Sequence, residues 1–335
     1  MRLLLFILVI LFALPVHAQE DAPGIERILS ITSNPTYPAP NERIRLSIGG
    51  YAVDIDRSIV VWYVDNKEVS RGPGLRDLEL DVGALGSVQR IRVFAEEPSG
   101  IIAIGEAEIR PTEVTLLWET DSYTPPFYRG RALAGSNSTI NAQALANLRR
   151  GTATISNNNI VYSWYRNGAL FASGLGRSAV SFPGPRVFET HRIEVVAESV
   201  QGDLAGRAEM ILQGSDPQLE LYEHHPLFGT LYHRAFVGTV LTGEDEQKVA
   251  AVPFFAPTEP HNPSLVYNWS AAGRVVPPDS ATPDIITLRR GPGFTGTGEV
   301  ALSLTSTSDI FLSARNMWTI TFGDQTTFQN PFVTP

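Results

Sequence analysis

Val60-Val61-Trp62-Tyr63-Val64-Asp65-Asn66, Val161-Tyr162-Ser163-Trp164-Tyr165-Arg166-Asn167-Gly168 and Val266-Tyr267-Asn268-Trp269-Ser270-Ala271-Ala272-Gly273 are one pattern met three times. Each is a short apolar-rich run that carries a tryptophan and ends at a turn: Asp65-Asn66-Lys67, Asn167-Gly168 and Ala272-Gly273. The tryptophans recur at intervals of roughly 100 residues, the length of one β-sandwich domain. A residue that returns at domain spacing inside an apolar strand behaves as a core anchor, so Trp62, Trp164 and Trp269 are expected to be buried rather than to offer sugar-stacking platforms.

The repeat extends beyond the indoles. Laying residues 62–100 on 164–202 without a gap matches Trp62-Tyr63 with Trp164-Tyr165 and Gly72 and Gly74 with Gly174 and Gly176. It also matches Arg90-Ile91 with Arg192-Ile193, Ala95-Glu96 with Ala197-Glu198 and Gly100 with Gly202. A second landmark, Leu116-Leu117-Trp118-Glu119 and Leu219-Glu220-Leu221-Tyr222-Glu223, precedes a Pro-rich stretch in the later copies. Duplication followed by drift explains both.

Working outward, the flanking segments alternate polar and apolar residues with a period of two, as half-buried strands do. Arg43 to Ile48, Leu78 to Val82, Arg192 to Ala197 and Val300 to Leu304 are examples. The 28 glycines and 24 prolines punctuate these runs at the spacing of strand connections. Ile140 to Arg150 has helix-forming composition but occupies a strand's place in the repeat, and its first half is read as strand. The expected division is a signal peptide at 1–18, sandwiches at 25–111, 112–214 and 217–323, and a polar tail at 324–335. Linkers this short favour a semi-rigid rod over freely jointed beads.

Arg2, the apolar run Leu3 to Leu14 and the small residues before Gln19 have the anatomy of an export signal. The run is too short to span a bilayer, which takes ~20 residues. The chain has no cysteine, so an exported module cannot use a disulfide brace and must stand on its packed core. That style suits a bacterial envelope: periplasm, cell surface or extracellular space. A formal net charge of −9 argues against nucleic acid or an anionic membrane surface as partner.

The Tyr162-Ser163-Trp164-Tyr165-Arg166-Asn167-Gly168 strand and turn, and the opening Pro38-Ala39-Pro40-Asn41-Glu42, resemble bacterial immunoglobulin-like and polycystic-kidney-disease-type domains. The Trp-x-Phe-Gly-Asp-Gly run of the latter is not present: Gly168 matches, but the Phe and Asp do not. The resemblance implies an all-β chain of three tandem immunoglobulin-like β-sandwich domains. It further implies surface display, adhesion or spacing, with no catalytic residues to carry over.

The chemistry-bearing clusters are few. His224, His225, His233 and His261 gather in the third copy, but adjacent histidines on a strand point to opposite faces and no tight spacing marks a metal site. Asp54-Ile55-Asp56 and Glu244-Asp245-Glu246 read as solvated acidic loops, since calcium needs oxygens converging from several segments. No Gly-x-Ser-x-Gly elbow and no Walker lysine is present. No catalytic residue, cofactor or metal is therefore assigned. Candidate partner contacts are the aromatics of two Pro-rich segments, Tyr123 and Phe127 in one and Phe254 and Phe255 in the other. These either form a contact patch or pack against the neighbouring module. The expected partners are other envelope or surface proteins, with polysaccharide as the alternative.

Overall fold

A computed structural model describes residues 27–51, 53–242, 245–291 and 296–323. The signal at 1–18, the tail at 324–335, Glu244 and Pro292-Gly293 lie outside the described residues. The described residues form two compact units, one up to Pro111 and one from Thr112 onward.

In the first unit the main strands are β1 (Ser30–Asn34), β2 (Arg43–Gly49), β3 (Ile59–Val64), β4 (Lys67–Pro73), β5 (Asp77–Asp81), β6 (Gln89–Glu96) and β7 (Ile102–Ile109). One sheet has the order β1-β2-β5 and the other β7-β6-β3-β4, with Arg27–Ile28 added in parallel on β7. The chain thus changes sheet between β2 and β3 and again on either side of β5, the crossing pattern of an immunoglobulin-like sandwich.

The second unit contains this arrangement twice. Its first half comprises β8 (Glu113–Thr120), β9 (Thr139–Asn147), β10 (Ile160–Arg166), β11 (Ala169–Leu175), β12 (Ala179–Pro183), β13 (Thr190–Ser199) and β14 (Ala205–Gln213). These form sheets β8-β9-β12 and β14-β13-β10-β11. The second half comprises β15 (Gln218–His225), β16 (Glu246–Phe254), β17 (Leu265–Ala271), β18 (Arg274–Val276), β19 (Ile285–Arg289), β20 (Gly296–Ser306) and β21 (Ser313–Phe322). Its sheets are β15-β16-β19 and β21-β20-β17-β18, extended by Gly229–Ala235 on β15 and Thr239–Thr242 in parallel on β21. The chain is a tandem array of three immunoglobulin-like sandwiches.

Each sandwich closes over its own core, and the repeated indole sits in the middle of it. Trp62, Trp164 and Trp269 are 0%, 0% and 1% exposed. They stand opposite Val93, Val195 and Leu302 on the neighbouring strand. Each indole N–H donates to a main-chain carbonyl just before or at the entry to the other sheet: Leu75 at 3.1 Å, Arg177 at 2.9 Å and Pro283 at 2.9 Å. The indole thereby ties the two sheets by apolar contact and by a hydrogen bond. In the first two copies Gly74 and Gly176 stand before the accepting residue at φ +63° and +66°, which L side chains rarely adopt.

The turns after the tryptophans also match. Asp65-Asn66, Asn167-Gly168 and Ala272-Gly273 all hold positive φ at both positions, as a two-residue hairpin turn requires. The Asp65 and Asn167 side chains accept from the backbone N–H of Arg90 and Arg192 at 2.9 Å and 2.8 Å. Ala272 keeps the backbone bond, to Glu299, without the side-chain acceptor.

The helix-forming stretch resolves as strand. β9 buries Ile140, Ala142 and Ala144 and turns Asn141, Gln143 and Leu145 outward. Its period of two fits the sheet, and packing on both neighbouring strands overrides the local preference of alanine and leucine. Arg149–Arg150 then pairs with Ala153–Thr154.

Candidate functional site

β16 buries every residue from Val249 to Phe254, so it is covered on both faces. Val249 and Ala251 face the sandwich core, whereas Val252 and Phe254 belong to a second apolar cluster with Tyr222 and Phe255, onto which Tyr123 and Tyr232 pack. The cover is the connection 121–138 between β8 and β9. Tyr123 N–H donates to Ala256 O and Phe255 N–H donates to Tyr123 O, both at 2.7 Å. Tyr128 meets Phe254 and Phe255 edge-on with ring centroids 5.6 and 5.9 Å apart. Beside this, Asp309 accepts from Ser136 Oγ at 3.1 Å and Asn137 Nδ2 at 2.7 Å.

These contacts correct the placement of the candidate aromatics. Phe254 and Phe255 are 9% and 3% exposed, so they are junction residues and offer no outward contact patch. An edge-to-face cluster sealed by two backbone hydrogen bonds outweighs the exposure their Pro-rich loop suggests. Tyr123 is half-buried in the same junction. Phe127, 91% exposed and at φ 65°, is the one of the four that points outward.

Next to the junction lies a cleft of about 660 Å³ lined by Tyr123 and Thr124 from the connection, His224, Thr230, Tyr232 and Lys248 from the sheet, and Glu259, His261 and Asp284 from loops. Asp284 immediately precedes β19 and is fixed by its neighbours: Pro283 O accepts the Trp269 indole, and Asp284 O accepts from Ala251 N–H at 2.8 Å. The core scaffold thus positions this carboxylate, which is only 4% exposed. Asp284 Oδ1 has no hydrogen-bond partner. His261 Nε2 stands 3.2 Å from that atom, within ion-pair distance.

Burial pushes the Asp284 carboxyl above its ordinary range, against the opposing pull of His261 and His224. Burial, with Lys248 nearby, lowers His224, whose Nδ1 is 3.1 Å from Thr230 Oγ1. Tyr123 is raised by burial and by its hydrogen bond to Tyr232. Tyr267, raised mainly by burial, donates its hydroxyl to Pro260 O at 2.9 Å and holds the loop that carries His261.

The other sequence candidates are scattered. His225 stacks on Phe228 and His233 is exposed. Asp54 caps a short 3-10 turn through Asp56 N–H, and Asp56 pairs with Arg76 at 2.8 Å. Asp245 and Glu246 pair with Arg290 and Arg289. Among the described residues no group of three or more His, Asp and Glu is arranged to hold a metal ion. No described helix is long and apolar enough to cross a membrane. Sequence reading missed Asp284, Lys248 and Tyr232 because they are brought together from two strands and the loop before β19. The only local signal is that β16 lacks alternation.

No family model and no curated protein matches the sequence. Among solved structures, the three N-terminal domains of the bacteriophage RB49 Highly Immunogenic Outer Capsid protein are similar at 13% identity, covering 89% of this chain and 99% of that one, with a TM-score of 0.25. The central fibronectin-III array of RIM-binding protein is similar at 12% identity over 85% and 93% of the chains, with a TM-score of 0.29. The Clostridium thermocellum CbhA fibronectin(III)-like modules are similar at 13% identity over 66% and 100%, with a TM-score of 0.21. The assignment of fold rests on the strand order, not on these likenesses.

Proposed function

We propose that this chain is an exported, non-catalytic surface protein that works as a multi-domain spacer or adhesion module, built from sandwiches at 25–111, 112–214 and 217–323. The observation that supports this reading is the junction inside the second unit. A flexible string of beads needs no backbone hydrogen bonds between modules, yet Tyr123 exchanges two with the 255–256 segment. Asp309 adds two side-chain bonds to the same boundary. Such a junction transmits orientation from one module to the next, which a spacer requires. The export signal directs the chain to the periplasm or cell surface, where other envelope proteins are its partners.

The absence of cysteine makes the test clean, because introduced cysteines carry the only labels. Spin labels at Leu175→Cys on β11 and Met317→Cys on β21, both on exposed positions, report the distance between the two modules of the second unit. A spacer gives one narrow distance distribution; a broad one removes the basis for the reading. Protease shaving of intact cells, read against whole-cell lysate, tests surface display.

A further inference from the structure

We propose that the 324–335 segment folds back on the third sandwich and seats the Phe328 side chain in an apolar groove, at the end where β21 leaves its sheet. The position that opens this groove recurs in all three copies. The repeated tryptophans stand opposite Val93, Val195 and Leu302. Four residues earlier on the same strands, and so on the same inner face, lie Gln89, His191 and Gly298. Gln89 closes the first sandwich: its amide accepts from Gly83 N–H at 3.0 Å and donates to Asp81 O at 3.3 Å, reaching the opposite sheet. His191 closes the second with an imidazole that is 13% exposed. Gly298 puts no side chain there, and a Cβ added to it would meet no described atom within 4 Å. Its φ lies outside the left-handed region, so the backbone does not demand glycine.

The result is a groove of about 440 Å³ between the sheets, walled by Leu288 of β19, Val276 of β18, Val300 of β20 and Ile320 and Phe322 of β21. All but Val276 are buried members of the third core, so the groove is a notch in that core, open at one end. Apolar surface without a neighbour is unfavourable, and an aromatic ring carries a large apolar area with which to cover it. The course of the chain sets the occupant. Phe322 is both a wall of the groove and the last residue of β21, and Gly323 N–H still donates to Thr242 O. Asp324 to Thr327 are polar and have the length of a common return connection, and Phe328 is the first large apolar residue after them. Five residues beyond Gly323, it lies at most ~17 Å from that anchor beside the groove wall. So short a tether gives an effective concentration on the order of millimolar, and the chain's own phenylalanine outcompetes that of a second copy. The groove shares no residue with the junction between the second and third sandwiches, so its failure leaves the spacer reading standing.

The test uses the full chain with spin labels at Val275→Cys, exposed on β18 beside the groove, and at Gln329→Cys, next to Phe328. A seated segment gives one narrow distance distribution that persists when the labelled chain is diluted with unlabelled chain. Gly298→Leu fills the groove and Phe328→Ser removes its occupant, and each broadens the distribution. The second variant changes no core residue, which guards against a folding defect in the first. Gly298→Leu also speeds chymotryptic cleavage after Phe328 about tenfold or more, because the segment is no longer held. A broad distribution in the parent chain, as when the 292–295 connection fills the groove instead, overturns the proposal. So does a narrow distribution that survives either variant, or one lost on dilution with unlabelled chain, which puts a second copy's segment in the groove.

Discussion

Replacing Trp164 by alanine strikes the feature on which each sandwich is organised. The side chain is fully buried between the two sheets, and an indole of this kind hides roughly 150–250 Å². At about 25 cal/mol per Å² its removal forfeits ~4–6 kcal/mol of transfer free energy as an upper bound, part of which the remaining methyl retains. The Arg177 carbonyl, which accepts the indole N–H at 2.9 Å, is left unpaired at a further cost of about 1–3 kcal/mol. Partial collapse of the site offsets some of this, so the expected loss is about 5 kcal/mol, the top of the range for large aromatic truncations. Trp164→Phe keeps a ring but has no N–H, and its expected cost is about 2 kcal/mol. Scanning calorimetry with near-ultraviolet circular dichroism measures both. The parallel variants at Trp62 and Trp269 are expected to give the same ordering, because each indole makes the same bond to the same place in the fold. A Trp164→Ala chain that melts within about 1 kcal/mol of wild type, or a Phe variant as damaged as the Ala variant, refutes this account of the core.

Asp284→Asn removes a buried charge and is expected to stabilise the second unit by about 1 kcal/mol at neutral pH. Because the folded-state carboxyl is raised, the wild-type chain gains stability as pH falls from that raised value through the ordinary carboxylate range. The gap between variant and wild type therefore narrows on acidification in urea titrations, with His261, His224, Lys248, Glu259, Tyr123 and Tyr232 being the charged or titratable groups that face the site. If Asp284→Asn lowers the melting temperature at neutral pH, the carboxylate is a structural partner instead. Gly135→Ala places a methyl against the Phe255 carbonyl oxygen, a backbone atom that cannot yield. Its expected effect is a broadened Leu175–Met317 spin-label distance; an unchanged distribution shows that the junction does not depend on this approach. Asp203 accepts two bonds from Arg150, at 2.6 and 2.7 Å, and one from Ser199, which hold its carboxyl below the ordinary range. Asp203→Asn is expected to cost about 1 kcal/mol at neutral pH, discounted for partial exposure, and nothing once acid has protonated the wild-type carboxyl.

Local chemistry made much of the architecture readable from the chain. A tryptophan inside an apolar run has one favourable place, the core, and each run here ends at a two-residue turn, written Asn-Gly in the second copy, so three such runs at domain spacing announce three sandwiches. The same reasoning handled Ile140 to Arg150 only through its place in the repeat, since alanine and leucine favour helix when nothing packs on them. What the sequence could not disclose is which faces meet beyond each core. Phe254 and Phe255 could be read either as a contact patch or as packing on the neighbouring module, because hydrophobicity says that a residue must be covered, not by what. Only the fold brings the 121–138 connection over β16 and buries them. Asp284 is plainer still. In sequence it is one acidic residue before a strand, and only the fold buries it, with His261 Nε2 3.2 Å from its carboxylate. Burial and hydrogen-bond satisfaction depend on distances across the tertiary structure, and those no stretch of sequence contains.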